Sequence, residues 1–124
     1  MNKRILCVED HDDMSDLISF FLNSHGYETV SVSTGDEGLS LAQTQHFDLY
    51  LLDVALPGIS GIEICKQIRQ SDSSTPIVFC SAGAREVEQQ RGLAAGAQAY
   101  LVKPVEVDMI LETVEKLIGV RTRG

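Results

Sequence analysis

Basic residues are scarce in this chain: 10 lysines and arginines stand against 18 aspartates and glutamates, for a net charge of -8. That balance excludes non-specific attraction of the domain to nucleic acid or to an anionic membrane. Cysteine is also sparse. Cys7, Cys65 and Cys80 are odd in number, lie inside apolar segments and form no CxxC or Cys/His spacing. A zinc site is therefore not expected, and the thiols read as small buried hydrophobes in a reducing compartment. No apolar run approaches membrane-spanning length, and a strand pattern starts within a few residues of Met1, leaving no room for a signal peptide. The expected location is the cytoplasm. No repeat, low-complexity segment or internal linker interrupts the 124 residues, a length that suits one domain and is too short for two.

What the chain does have is alternation. Residues 4–8 (RILCV) form a short apolar run that ends in Glu9 and Asp10. Met14, Leu17, Ile18, Phe21 and Leu22 then recur at helical spacing, with Asp12 or Asp13 placed to cap the start and Gly26 to end it. Residues 27–32 alternate and are rich in β-branched side chains, and residues 34–45 carry Leu39, Leu41 and Ala42 with weaker helical periodicity. The run 49–52 is continuously apolar and leads into Asp53, after which Pro57, Gly58 and Gly61 break the chain. On that stretch alone, Asp53 either caps the following loop or stands as a functional acid at the end of a central strand. A third helix starts near Ser60 with Ile62, Cys65 and Ile68, and residues 76–80 (PIVFC) form another buried-type strand ending at Ser81. Residues 84–95 suit a fourth helix, weakened by Gly92 at about 1 kcal/mol relative to Ala and expected to be the least rigid. Residues 98–102 give a fifth strand ending at Lys103 and Pro104. Val107, Ile110, Leu111, Val114, Leu117 and Ile118 make an apolar stripe on the last helix.

Strand and helix that alternate five times imply an α/β fold, a parallel sheet covered by helices on both faces in three layers. Right-handed crossovers bring all strand ends to one edge, where Glu9, Asp10, Asp53, Ser81 and Lys103 converge. Three carboxylates a few ångströms apart repel one another by about 3 to 4 kcal/mol per pair at an effective dielectric near 20, which raises their pKa values unless a cation intervenes. Mg2+ suits such a site because it takes one or two carboxylates and keeps room for phosphate oxygen. Lys103 adds a positive charge and Ser81 a hydroxyl donor. The set describes phosphoryl transfer, with Asp53 the acid placed to attack while Glu9 and Asp10 hold metal. A small phosphohydrolase is disfavoured because the position two after Asp53, where such enzymes place an acid, is Ala55. His11, a single histidine in a polar loop, reads as exposed rather than as a metal ligand or phosphohistidine.

Glu9 and Asp10, the run DVALPGISG from Asp53, Ser81, and YLVKP from Tyr100 together resemble the receiver domain of two-component response regulators. The resemblance spans nearly the whole chain, residues 1–119, with residues 120–124 a tail or the start of a linker. It implies a flavodoxin-like sheet in the order 2-1-3-4-5 with five helices. It implies Asp53 as phospho-acceptor, and Glu9, Asp10, Asp53 and the backbone carbonyl of Ala55 around Mg2+. Ser81 and Lys103 match the pair that grips the phosphoryl oxygens, and Pro104 matches a proline preceded by a cis bond. Ser81 and Tyr100 match the switch pair, with Tyr100 rotating inward after phosphorylation. The implied partners are a histidine kinase or phosphotransfer protein upstream and an effector domain or protein downstream. A phosphorylation-dependent dimer is common in the family. A relay intermediate that passes phosphate on, and a pseudo-receiver that only docks, are the alternatives. The receiver catalyses its own phosphorylation and dephosphorylation and turns over no separate substrate.

Overall fold

The structure, a computed structural model, describes residues 2–119. The expected tail at 120–124 lies outside the described residues. The elements in chain order are β1 (Arg4–Val8), α1 (Asp12–Ser24), β2 (Glu28–Val32), α2 (Gly35–Thr44), β3 (Leu49–Leu52), α3 (Gly61–Arg69), β4 (Ile77–Ser81), α4 (Glu86–Ala94), β5 (Ala99–Val102) and α5 (Val107–Ile118). The strands form one parallel sheet in the order β2-β1-β3-β4-β5.

Alternate side chains of each strand serve opposite layers. Ile5 and Cys7 of β1, Leu49 and Leu51 of β3, and Val78 and Cys80 of β4 pack with Ile18 and Leu22 of α1 and Ile110 and Val114 of α5. Leu6, Val8, Tyr50, Leu52, Ile77 and Phe79 face the other way, onto Leu39 of α2 and Ile64, Cys65 and Ile68 of α3. The central strands β1, β3 and β4 are buried on both faces, which is why their sequences read as continuous apolar runs.

Two local expectations need correction. Neither Asp12 nor Asp13 caps α1: the cap position is His11, without a side-chain cap bond, and both acids lie inside the first turn. There they oppose the positive end of the helix dipole, which rewards an acid without requiring a cap. Leu17 is not on the core stripe either, being 52% exposed. It precedes Ile18 by one residue, about 100° round the helix. By contrast, the cap residues Thr34 and Ser60 accept the N–H groups of Glu37 and Glu63 at 3.3 and 3.2 Å, and they start α2 and α3 as their residue types suggest.

Gly92 is more than a weakness in α4. It is the buried residue of that helix, and a Cβ there would lie 2.9 Å from ring carbons of Phe79 and Tyr100. The missing side chain lets α4 rest on β4 and β5. Gly92→Ala, which in an open helix stabilises by about 1 kcal/mol, is expected here to destabilise by about 1 to 2 kcal/mol through overpacking. Urea unfolding of the two proteins measures the sign.

Candidate functional site

The carboxyl edge of the sheet is zipped one residue beyond the strands. Glu9 N–H donates to Val32 O at 3.1 Å, Asp53 N–H to Val8 O at 3.0 Å, and Lys103 N–H to Ser81 O at 2.8 Å. Side chains that leave from these positions are therefore held by backbone geometry rather than by loop packing. The loop after Asp53 closes back on the sheet at Gly61, whose N–H donates to Val54 O at 3.0 Å. A Cβ at Gly61 would collide with the Asp53 carbonyl oxygen, so only glycine permits that return.

Lys103 is the hinge of the electrostatics. Its Nζ donates to Glu9 Oε1 at 2.7 Å and to Asp53 Oδ2 at 2.9 Å, and the two carboxylates are 3% and 5% exposed. Burial would push the Glu9 carboxyl up, but Lys103 and the His11 ring and N–H donate to it and hold it below the usual range. Burial likewise opposes the charge on Lys103, yet Glu9 and Asp53 raise its pKa above the ordinary lysine value. The clustered acids are expected to raise one another's pKa unless a cation intervenes; for Glu9 the chain supplies that cation itself, and the carboxyl stays low.

Asp10 stands differently. Its side chain is 30% exposed, and its Oδ1 is buried without a hydrogen-bond donor. Ligand atoms of Glu9, Asp10, His11 and Asp53 lie within 4.8 Å of one another. Carboxylate oxygens in that number, one of them orphaned, fit a hard divalent cation such as Mg2+. Asp53 Oδ1 accepts the Ala55 N–H at 3.1 Å, and Ala55 itself is exposed. An open cleft of about 410 Å3 begins there, lined among others by Ala55, Lys66, Ser81, Arg91 and Tyr100.

Ser81 is buried at the end of β4, and its Oγ accepts the Gly83 N–H at 3.5 Å. Tyr100 is half-buried, with its ring 6.0 Å from that of Phe79 and its hydroxyl donating to Gly83 O at 2.8 Å. Tyr100 is thus already tied to the loop that follows Ser81, and no rotation is needed to make that contact. The Lys103–Pro104 peptide bond is cis. The three cysteines are free and buried; burial, with the Glu9 charge close by, pushes the Cys7 thiol up to about 12. His11 is exposed, as its place in a polar loop suggests; its Nδ1 lies 3.0 Å from Glu9 Oε2 and 3.3 Å from Asp10 Oδ1.

In a doubly wound sheet the carboxyl ends of the strands are where ligands bind, and the acids and the lysine stand at that edge. Residues 5–115 match the family model of the response regulator receiver domain, and the chain belongs to that family. It is 41% identical over 104 residues to the alkaline phosphatase synthesis transcriptional regulatory protein PhoP of Bacillus subtilis, covering 84% of this chain and 43% of PhoP. It is 32% identical over 121 residues to the polar-differentiation response regulator DivK of Brucella ovis, covering 96% of this chain and 98% of DivK. The chain thus spans less than half of PhoP and nearly all of DivK. The receiver domain of sensor histidine kinase PA1611 from Pseudomonas aeruginosa superposes with a TM-score of 0.87 at 29% identity, over 96% of this chain and 99% of that one. That structure has a magnesium ion coordinated in its active site cleft. Among the described residues, no helix is long and apolar enough to cross a membrane.

Two outcomes follow from the charge arrangement. Asp10→Asn should stabilise the metal-free protein by about 1 kcal/mol, by removing a like charge, and abolish the rise in melting temperature that is expected of the wild type in millimolar Mg2+. Thermal unfolding with and without Mg2+ reads both effects. Lys103→Ala should destabilise the metal-free protein by on the order of 2 kcal/mol near neutral pH, because it leaves Glu9 and Asp53 buried without their cation. Glu9 has a lowered folded pKa, so its pairing stabilises above the unfolded carboxylate value and is lost as pH falls through the folded one. Lys103 has a raised folded pKa, so its share is lost only as pH rises through that value. The gap between wild type and Lys103→Ala should therefore be widest from about pH 5 to pH 9 and narrow on acidification. Denaturation at stepped pH follows it.

Proposed function

We propose that residues 1–119 act as a phospho-accepting switch in which Asp53 takes a phosphoryl group from a histidine kinase or phosphotransfer protein. The observation that carries this reading is the buried Asp53 carboxylate, held at the sheet edge by Lys103 Nζ at 2.9 Å with Glu9 on the same ammonium. In the transfer, an Asp53 oxygen attacks phosphorus, the new P–O bond forms, and the phosphorus–nitrogen bond to the donor imidazole breaks, leaving its electron pair on the ring. Glu9, Asp10, Asp53 and the Ala55 carbonyl would hold Mg2+, which would neutralise the phosphoryl oxygens. Lys103 exchanges its bond to Asp53 for one to a phosphoryl oxygen, and the Ser81 hydroxyl turns from the Gly83 N–H to donate to another. The open side at Ala55 admits the donor without a side chain to screen it.

The switch uses contacts already in place. Drawing Ser81 inward shifts the loop that carries Gly83, and the Tyr100 hydroxyl and the Gly92 face of α4 shift with it. An effector domain or protein that prefers one arrangement then sets the population. The acidic charge makes the output protein recognition rather than direct DNA binding by this domain. A cytoplasmic setting accords with a kinase donor, and phosphorylation-dependent dimerisation through the same face belongs to this reading. The domain catalyses its own phosphorylation and hydrolysis only.

Intact mass after incubation with acetyl phosphate and Mg2+ tests the reading. One phosphoryl group is expected on the wild type and none on Asp53→Asn or in the metal-free control. Ser81→Ala should accept the group about a hundredfold more slowly. A wild type that stays unmodified with acetyl phosphate and with phosphorylated histidine donors would leave only a docking role.

A further inference from the structure

Tyr50 carries a polar atom for which the fold has no internal use. The residue is 4% exposed on β3, and its ring lies 5.9 Å from that of Phe47 among the apolar side chains beneath α2 and α3. A buried tyrosine normally gives its hydroxyl a partner. Tyr27 and Tyr100 do so, donating to Gly119 O at 2.9 Å and to Gly83 O at 2.8 Å. Among the described residues, no side chain or carbonyl meets the Tyr50 hydroxyl. Tyr50 instead forms, with buried Ile68, the inner wall of a recess of about 160 Å3 between α2 and α3. Burial first, and then the Asp72 charge, raise the Tyr50 pKa, so the hydroxyl stays protonated and stands on the side of the recess that Asp72 lines.

The recess has acceptors to spare and few free donors. Gln67 Nε2 already donates to Glu63 Oε2 at 3.2 Å, which leaves the Gln67 carbonyl oxygen for the recess. The cation whose charge reaches Tyr50 is Arg69, and its guanidinium is committed to Gly96 O, Asp72 O, Thr75 O and Gln98 Oε1 at 2.8 to 3.0 Å. The Thr75 hydroxyl, helped by the Thr75 and Ser74 N–H groups, holds Asp72 below the usual carboxylate range, so the rim carries a negative charge. Gln43 and Ile68 belong to the last turns of α2 and α3, where the helix dipole adds to that sign. Ala42 and Ile68 supply apolar surface. A cavity of about this size takes one benzene-sized ring.

We propose that the recess between α2 and α3 is a binding site for a small organic cation, a ring-sized body that carries an amidinium or ammonium group. Tyr50 Oη and Gln67 Oε1 accept its N–H groups, and Asp72 supplies the counter-charge. A ligand seated there joins the last turn of α2 to that of α3. The site lies near the start of β3, whereas Asp53 follows its end, and it shares no residue with the acidic cleft. The inference is therefore independent of the switch reading.

The test records amide proton–nitrogen correlation spectra of the full chain during titration with benzamidine, and with its near-isosteres benzamide and benzoate. Millimolar Mg2+ is present at neutral pH to keep the organic cation out of the acidic cleft. Benzamidine should give saturable shifts centred on residues 42–43 and 67–72, with a dissociation constant of about 1 mM. Benzamide should bind about tenfold more weakly and benzoate should not saturate. Tyr50→Phe keeps the ring and drops the hydroxyl. It should weaken benzamidine about fivefold, while its melting temperature matches or exceeds that of the wild type because no bond within the chain is lost. Ala42→Leu, which fills the recess from α2, should abolish the shifts and keep the melting temperature within about 2 degrees. Absence of saturable shifts with benzamidine, shifts centred on Glu9 and Asp53 instead, equal binding of benzoate, or unchanged affinity in Tyr50→Phe would each overturn the assignment. So would a lower melting temperature in Tyr50→Phe, which would show that the chain itself uses the hydroxyl.

Discussion

One ammonium group decides the shape of the working edge. Glu9 and Asp53 leave neighbouring strands at nearly the same depth, both almost fully buried, and without compensation they could not both stay charged. Lys103 Nζ lies between them at 2.7 and 2.9 Å and makes that pair of charges tenable. Because Lys103 is spent on those two acids, Asp10 is left with an oxygen that no donor meets. The site is thus balanced on one side and short of positive charge on the other. That residual deficit is what a metal ion, and then a phosphoryl group on its oxygens, would answer.

The consequences run outward through the backbone. Lys103 N–H is bonded to the Ser81 carbonyl, so the cation and the hydroxyl belong to one rigid corner of β4 and β5. Two residues beyond Ser81, Gly83 receives the Tyr100 hydroxyl, and Tyr100 in turn packs against Phe79 and the bare backbone of Gly92. This is a short chain of contacts from a charged site to the face of α4. It gives the proposed switch a physical route, because α4 has Gly92 as its buried residue and depends on that contact for its seat. A helix held by few apolar contacts can shift at small cost.

Much of the architecture was legible in the residues. The runs RILCV, LYLL and IVFC are continuous because β1, β3 and β4 are covered on both faces, and the stripe from Val107 to Ile118 places Ile110 and Val114 in the core. Helix starts at Thr34 and Ser60 followed from residue type alone. Leu17 misled because apolar residues at the rim of a helix share the spacing of those on its core face. Gly92 was read as a local cost, since nothing in its neighbours along the chain announces the rings of Phe79 and Tyr100 above it.

The sequence by itself determined which chemical groups reach the carboxyl edge of the sheet, since strand alternation and right-handed crossovers send Glu9, Asp10, Asp53, Ser81 and Lys103 there. Only the tertiary structure decided how those groups divide among themselves. Lys103 is separated from Glu9 by 94 positions and from Asp53 by 50, and its choice of these two over Asp10 depends on which strand ends the sheet sets side by side. The place of His11 against Glu9 and Asp10 was settled in the same way, by the turn of backbone from β1 into α1. Composition and periodicity carry direction along the chain; distances of 3 Å across it are set by packing, where a shift of one ångström changes which charge is paired.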